Sequence, residues 1–286
     1  MLSSTAGFFP TRYSTIDLSP TPMQPAEFNN QKEITQTDRL LNNFATRSFR
    51  DIADRDYVQA RLAFRAGLIP QFQWSALHCL EKYVKAILLY NRISSKGQKH
   101  EIEEGLRRIE KSAKFHVQIS SETEKFISRL ESGAAYRYFE ISYASLRDDL
   151  FNLDRAVSEI RRYCQVLDVT MKHGDSEVNL LKLSLERIEK ARTSNVNDTC
   201  IMGGWLECVI KKKDHIARKG LIWNNLYFSS SRRTQVHYTT YSESGNAPLF
   251  LHPEIIDEVL KYVFMPKDIA NAWREEAEKR RKNKKV

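Results

Sequence analysis

Ala76-Leu77-His78-Cys79-Leu80-Glu81-Lys82-Tyr83-Val84-Lys85-Ala86-Ile87-Leu88-Leu89-Tyr90-Asn91 is the stretch whose reading decides the fold. Leu77, Leu80, Val84, Ile87, Leu88 and Asn91 recur at the spacing of one helical face, and Ala76, Tyr83 and Tyr90 widen that face. So broad an apolar stripe predicts a helix buried in a bundle. His78, Glu81, Lys82 and Lys85 border it, and a polar edge on a buried helix is where a bundle holds either a site or a partner.

Working outward, the chain supplies further helices of the same kind. A preceding one starts near Ser48, carries Ala53, Tyr57, Ala60 and Phe64, and meets stop signals at Gly67 and Pro70. Gly97 separates the central stretch from a shorter helix with Ile102, Leu106 and Ile109 on one face. The next spans Ser121 to about Ala135, with Ser121 and Glu124 in capping-box register. Then Leu146, Leu150, Leu153, Val157, Ile160, Cys164 and Leu167 alternate steps of four and three, the signature of a long core helix. Residues 48–170 thus read as an antiparallel bundle.

The flanks differ in character. Residues 1–47 hold Pro10, Pro20, Pro22 and Pro25 among Ser, Thr, Asn and Gln, a composition that cannot bury enough apolar surface to offset chain ordering, and read as a flexible arm. Residues 171–286 read as an α+β extension with a basic tail. Within it a helix carries Val178, Leu181, Leu185 and Ile188, and a second carries Trp205, Val209 and Ile216. Leu221–Phe228 and Thr234–Tyr241 are rich in β-formers and flank the basic Ser229–Arg233 segment, which predicts a hairpin. Pro248–Leu251 is expected as a short edge strand, Pro253 as a helix start, and a last helix follows Pro266. The fold class is mainly α, a helical bundle with a C-terminal α+β extension containing a β-hairpin.

Composition narrows the partners. The 286-residue chain has a formal net charge of +9 and a pI near 9.3, so it favours polyanions such as nucleic acid, although much of the excess lies in Lys279–Lys285. Four cysteines do not make a disulfide framework in a chain of this size, which fits a cytoplasmic location. No apolar run reaches the roughly 18 residues that a bilayer span requires, and the N-terminus shows no signal peptide. Cys200, Cys208 and His215 lack the paired spacing of a zinc site, and no Gly-rich phosphate loop is present, so neither metal nor cofactor is expected.

Two groups of residues suit a nucleotide or RNA. Tyr136, Arg137, Tyr138 and Glu140 combine aromatic faces with a guanidinium, which can stack a base and grip a phosphate; equally, Arg137 and Glu140 can pair to lock a helix junction. Lys211, Lys212, Lys213, Arg232 and Arg233, with Trp223, Tyr227, His237, Tyr238 and Tyr241, form a basic and aromatic set suited to following a backbone and stacking bases. The alternative is that the aromatics cover helices and the lysines are solvated. His78 and His100 read either as members of a polar pocket or as satisfied histidines at a core edge. Asp148-Asp149 and Glu103-Glu104 read as solvent faces.

Several of these residues together resemble the HEPN superfamily of small helical bundles. The resemblance rests on Asp56-Tyr57 with Ala60-Arg61, on Leu80-Glu81-Lys82-Tyr83-Val84-Lys85-Ala86-Ile87-Leu88, on Lys99-His100-Glu101-Ile102, and on Tyr136-Arg137-Tyr138-Phe139-Glu140. It covers roughly residues 48–170. It implies a bundle that dimerises face to face with a cleft between protomers. Catalytic members cleave RNA without metal, using an Arg and, after four to six residues, a His near the start of the last helix. Arg137 matches the Arg, but residues 142–144 are Ser142, Tyr143 and Ala144, and a phenol with a pKa of about 10 is a poor base at neutral pH. The reading that follows is a homodimeric, non-cleaving protein that binds nucleotide, RNA or a partner protein, in a toxin–antitoxin or defence setting. Two others stay open: a metal-independent endoribonuclease using Arg137 with Tyr143, or the Arg232/His237 pair, and a structural scaffold for a protein complex.

Overall fold

A computed structural model of the chain describes residues 35–98, 100–133, 142–146, 148–165, 169–173, 176–193, 203–229, 235–236 and 243–283. In chain order α1 is Gln36–Phe44, followed by a π-helical turn Ala45–Arg50, α2 Asp51–Arg65, α3 Ile69–Tyr90, α4 Ile102–Ser112 and α5 Ser121–Ser132. Strand β1 (Tyr143–Ser145) precedes α6 (Asp149–Arg161), and β2 (Thr170–His173) and β3 (Ser176–Asn179) lead into α7 (Leu180–Thr193). Then come α8 Trp205–Lys211, α9 Arg218–Ile222, β4 Glu243–Gly245, α10 Pro248–Leu251, a 3-10 turn Pro253–Ile255, α11 Ile256–Val259 and α12 Lys267–Asn283.

The central stretch forms α3, and it is buried on nearly every side: Ala76, Cys79, Leu80, Tyr83, Val84, Ala86, Ile87 and Leu88 are wholly inaccessible. Helix α2 lies along it with Ala53, Tyr57, Ala60 and Phe64 inward, and α4, α5 and α6 close the remaining sides with Ile109, Phe126, Ile127, Leu153, Val157 and Ile160. The periodicity reports the bundle core correctly from Leu150 to Cys164, whereas Leu146 precedes α6 and is exposed and Leu167 lies outside the described residues. The cap of α5 falls one residue early: the Ser120 hydroxyl accepts the Thr123 amide, while the Ser120 amide and hydroxyl both donate to Glu159 on α6. The long-range acceptor on α6 selects Ser120 over Ser121.

Residues 36–47 correct the reading of the N-terminal segment as an arm, whereas 1–34 lie outside the described residues. Thr35 and Asp38 form a capping box that starts α1. Arg92, in the left-handed region at φ 57° just past the end of α3, clamps α1 in place. Its guanidinium donates to the Asp38 carboxylate at 2.9 Å, the Asp38 carbonyl at 3.0 Å and the Asn42 amide oxygen at 2.9 Å. Polar composition hid a helix that is docked by one arginine rather than by an apolar face.

The extension shares the core of the bundle. Leu206, Val209 and Ile210 on α8, with Leu221 and Phe228, are buried in the same cluster as α2, α3 and α6. Two buried guanidiniums make the join. Arg161 on α6 is bidentate to Asp54 of α2 at 2.7 and 2.9 Å and to Glu207 of α8 at 2.6 and 2.7 Å. The Asp54 carboxylate also accepts the Tyr83 hydroxyl at 2.7 Å and the Leu206 amide at 3.3 Å. Arg61 on α2 pairs with Asp154 of α6 and donates to the carbonyls of Gly220 and Trp223. Gly220 allows that approach, since a Cβ there would meet Leu62 Cδ2 at 2.8 Å.

This join overturns the expected strand over Leu221–Phe228, where the chain instead makes α9 and a run of turns. Asn225 explains it: its amide donates to the Leu221 carbonyl and to the Tyr57 hydroxyl, and its side-chain oxygen accepts the Tyr227 and Phe228 amides, each at 2.9 Å. A side chain that satisfies the local backbone competes with a ladder. The described hairpin is β2–β3, paired from Thr170↔Asn179 to His173↔Ser176. A second antiparallel pair joins β1 to β4, Tyr143↔Gly245 through Ser145↔Glu243, and ties the C-terminal part to the bundle. Pro248–Leu251 is a helical turn rather than an edge strand, consistent with the preference of Pro for a first helical turn. Leu249, Ile256, Met265 and Ala270 form a small separate core there.

Replacing Arg161 by Met strands two buried carboxylates, and we expect it to lower the unfolding free energy by about 3–5 kcal/mol. Urea denaturation measures this; a loss within experimental error would show that the guanidinium does not hold the join. Asp38 has a second signature. Hydrogen bonds from Thr35, then Arg92, hold its pKa at about 2 against an ordinary 3.8. A depressed carboxylate stabilises the fold above its ordinary value and loses that contribution as pH falls toward the depressed one. The Tm of Asp38→Asn is therefore expected below that of the parent at pH 6, with the gap closing toward pH 2; a gap that does not depend on pH would contradict the assignment.

Candidate nucleic-acid interface

Of the residues singled out in the sequence, Tyr136, Arg137, Tyr138, Glu140, Arg232, Arg233 and His237 lie outside the described residues, as do Tyr238 and Tyr241. Tyr143 is placed by its backbone in β1, opposite Gly245. Around it the start of α6 is held by structural contacts. The Ser142 hydroxyl accepts the Ala247 amide at 3.1 Å, and Gln73 of α3 donates to the Ala144 carbonyl at 2.9 Å. Asp149 is not a solvent-facing acid: it is 1% exposed, accepts the Leu146 amide at 2.8 Å and pairs with Arg129. Its burial outweighs Arg129 and raises its pKa.

Lys211, Lys212 and Lys213 are described and exposed, for a reason that begins in α8. Leu206, Val209 and Ile210 point into the core and Glu207 is locked on Arg161, so the helix can only release its C-terminal lysines to solvent. Arg218 turns the chain back by donating to the Ile210 carbonyl at 2.9 Å, which sets α9 beside α8 and leaves Lys219 exposed. The two indoles of this unit face α2. Trp205 lies under Arg55, whose guanidinium carbon is 5.1 Å from the ring centroid, and Trp223 lies under Arg65 at 5.0 Å. His215 meets Trp205 edge-on at 5.7 Å.

The seam between α2 and α8–α9 thus presents two half-buried indoles capped by exposed arginines, and the same α8–α9 unit exposes Lys211, Lys212, Lys213 and Lys219. Asp214 is the exposed acid within α8–α9. Arginine stacked on an indole keeps N–H donors directed outward, and the lysines supply point charges for a phosphate backbone. Tyr227 does not join this surface, because it packs on Phe151 with ring centroids 5.9 Å apart and burial pushes its hydroxyl up to about 12. Sequence reasoning found the lysine run and Trp223 but missed Arg55, Arg65 and the role of Trp205. Their spacing on α2 gives no signal until α8 and α9 are docked against them.

A second polar group sits on the edge of α3 that the sequence marked. His78, Glu81 and His100 place one donor atom each within 4.8 Å of one another. The His100 Nδ1 lies 2.9 Å from Glu81 Oε2, and Lys85 pairs with the other oxygen. Against its own burial, hydrogen bonds from Lys85 and His100 keep Glu81 below the usual carboxylate range, and burial lowers His78. No helix among the described residues is long and apolar enough to cross a membrane.

Residues 46–168 match the family model for the HEPN domain. The chain has no significant match among curated proteins or solved structures.

Proposed function

We propose that this protein, whose residues 46–168 match the model of the HEPN domain, shares the nucleotide- and RNA-related role of that superfamily, often in toxin or defence systems, and binds single-stranded RNA without cleaving it. The observation that carries the reading is the pairing of two arginine-capped indoles with an exposed lysine run along one seam. Aromatic faces beside guanidiniums accept unstacked bases, and lysines at the rim follow the phosphates. The reading without cleavage is supported by the residues after Arg137, where Ser142, Tyr143 and Ala144 occupy the positions at which catalytic members carry a histidine. A pair of copies, joined as HEPN proteins often are, would double the seam and the avidity.

The test is a mobility-shift titration of full-length protein with a labelled single-stranded RNA in chelator, across a salt series. Replacing Lys211, Lys212 and Lys213 together by Ser is expected to reduce the slope of log affinity against log salt by about 2, the counterions of three phosphate contacts. Affinity that is indifferent to the triple change, or to Arg65→Ala, would remove the seam as the binding surface. Shortened RNA in the same lanes would replace binding by cleavage.

A further inference from the structure

The edge of α3 carries a group that the RNA seam does not use. His78 and Glu81 are one helical turn apart on the same face, and His100 is brought to them by the segment that leads into α4. We propose that His78, Glu81 and His100 bind one divalent transition-metal ion of the zinc class, leaving a coordination position open to solvent. The donor set is two imidazole nitrogens and one carboxylate, the kind of set that borderline ions prefer over magnesium or calcium.

Geometry supports this in three ways. The separations of up to 4.8 Å exceed by only about 1.5 Å the ligand spacing of a tetrahedral ion with bonds near 2.0–2.1 Å, a gap that side-chain rotation closes. The His100–Glu81 hydrogen bond at 2.9 Å already brings two of the donors together, and binding exchanges that bond for two bonds to one ion. Trp74 fixes the ring orientations: its indole lies on His78 at 4.1 Å and meets His100 edge-on at 5.4 Å, with the two imidazoles stacked at 5.5 Å. Lys82 is paired with Asp56, and Lys85 takes Glu81 Oε1, which leaves Oε2, the oxygen that faces His100, for the ion. Solvent access is open, since the His100 side chain is 49% exposed while Glu81 is buried. An ion here would staple the α3–α4 connection.

The experiment uses chelator-treated full-length protein titrated with Co²⁺, read by its ligand-field absorption, and then with Zn²⁺ in competition. The expected result is one ion per chain, with Zn²⁺ displacing Co²⁺ and raising Tm. His100→Ala, at an exposed position that leaves the fold intact, and His78→Ala should each weaken binding at least tenfold and abolish the Tm rise. His252→Ala, far along the chain, should change neither. Titration of the parent with Cu²⁺ should quench tryptophan emission, and Trp74→Phe should keep the binding while losing most of that quench. Absence of a stoichiometric ion, or binding unchanged in His78→Ala/His100→Ala, would overturn the site. The RNA titration is performed in chelator, so the two proposals fail independently.

Discussion

The fold depends on one arginine shared between two elements. Arg161 presents its guanidinium to Asp54 on one side and Glu207 on the other, all three side chains buried, and thereby fixes α8 against α2 and α6. An ion pair this deep gives little net stability compared with an apolar replacement, because desolvation consumes most of the Coulombic gain. What it supplies is register. A bidentate guanidinium accepts its carboxylates in few orientations, so α8 has one way to lie on the bundle. Gly204 belongs to the same requirement: a Cβ there would stand 2.7 Å from the Arg161 Nη2 atom.

From that constraint the surface follows. With Glu207 held, the apolar side of α8 turns inward, its lysines turn outward, and the Trp205 ring comes to rest under Arg55. Arg61 repeats the device at α9 and draws the Gly220 and Trp223 carbonyls onto α2, which sets Trp223 under Arg65. The basic seam is thus a product of how bundle and extension are joined, and the extension is best described as part of one core rather than as an appendage.

What was legible in the sequence divides along the range of the interactions. The buried face of α3 and the alternation on α6 are local patterns, and they gave both helices. The strand expected over Leu221–Phe228 failed because Asn225 and Arg61 claim the backbone there, and Arg61 lies 159 residues from the carbonyl of Gly220 that it holds. Helix α1 was hidden because its anchor, Arg92, lies 54 residues from Asp38. The same holds for the sites: a lysine run is visible as a run, whereas the caps on Trp205 and Trp223, and the meeting of His100 with Glu81, exist only once distant elements are packed.

The join of extension to bundle creates the proposed RNA surface, and amide hydrogen exchange on the full-length protein with and without bound single-stranded RNA tests this most directly. RNA is expected to slow exchange in α8, α9 and the Arg55–Arg65 part of α2, and to leave α4 and α12 unchanged. Protection confined to other elements, with the seam exchanging as in the free protein, would contradict it.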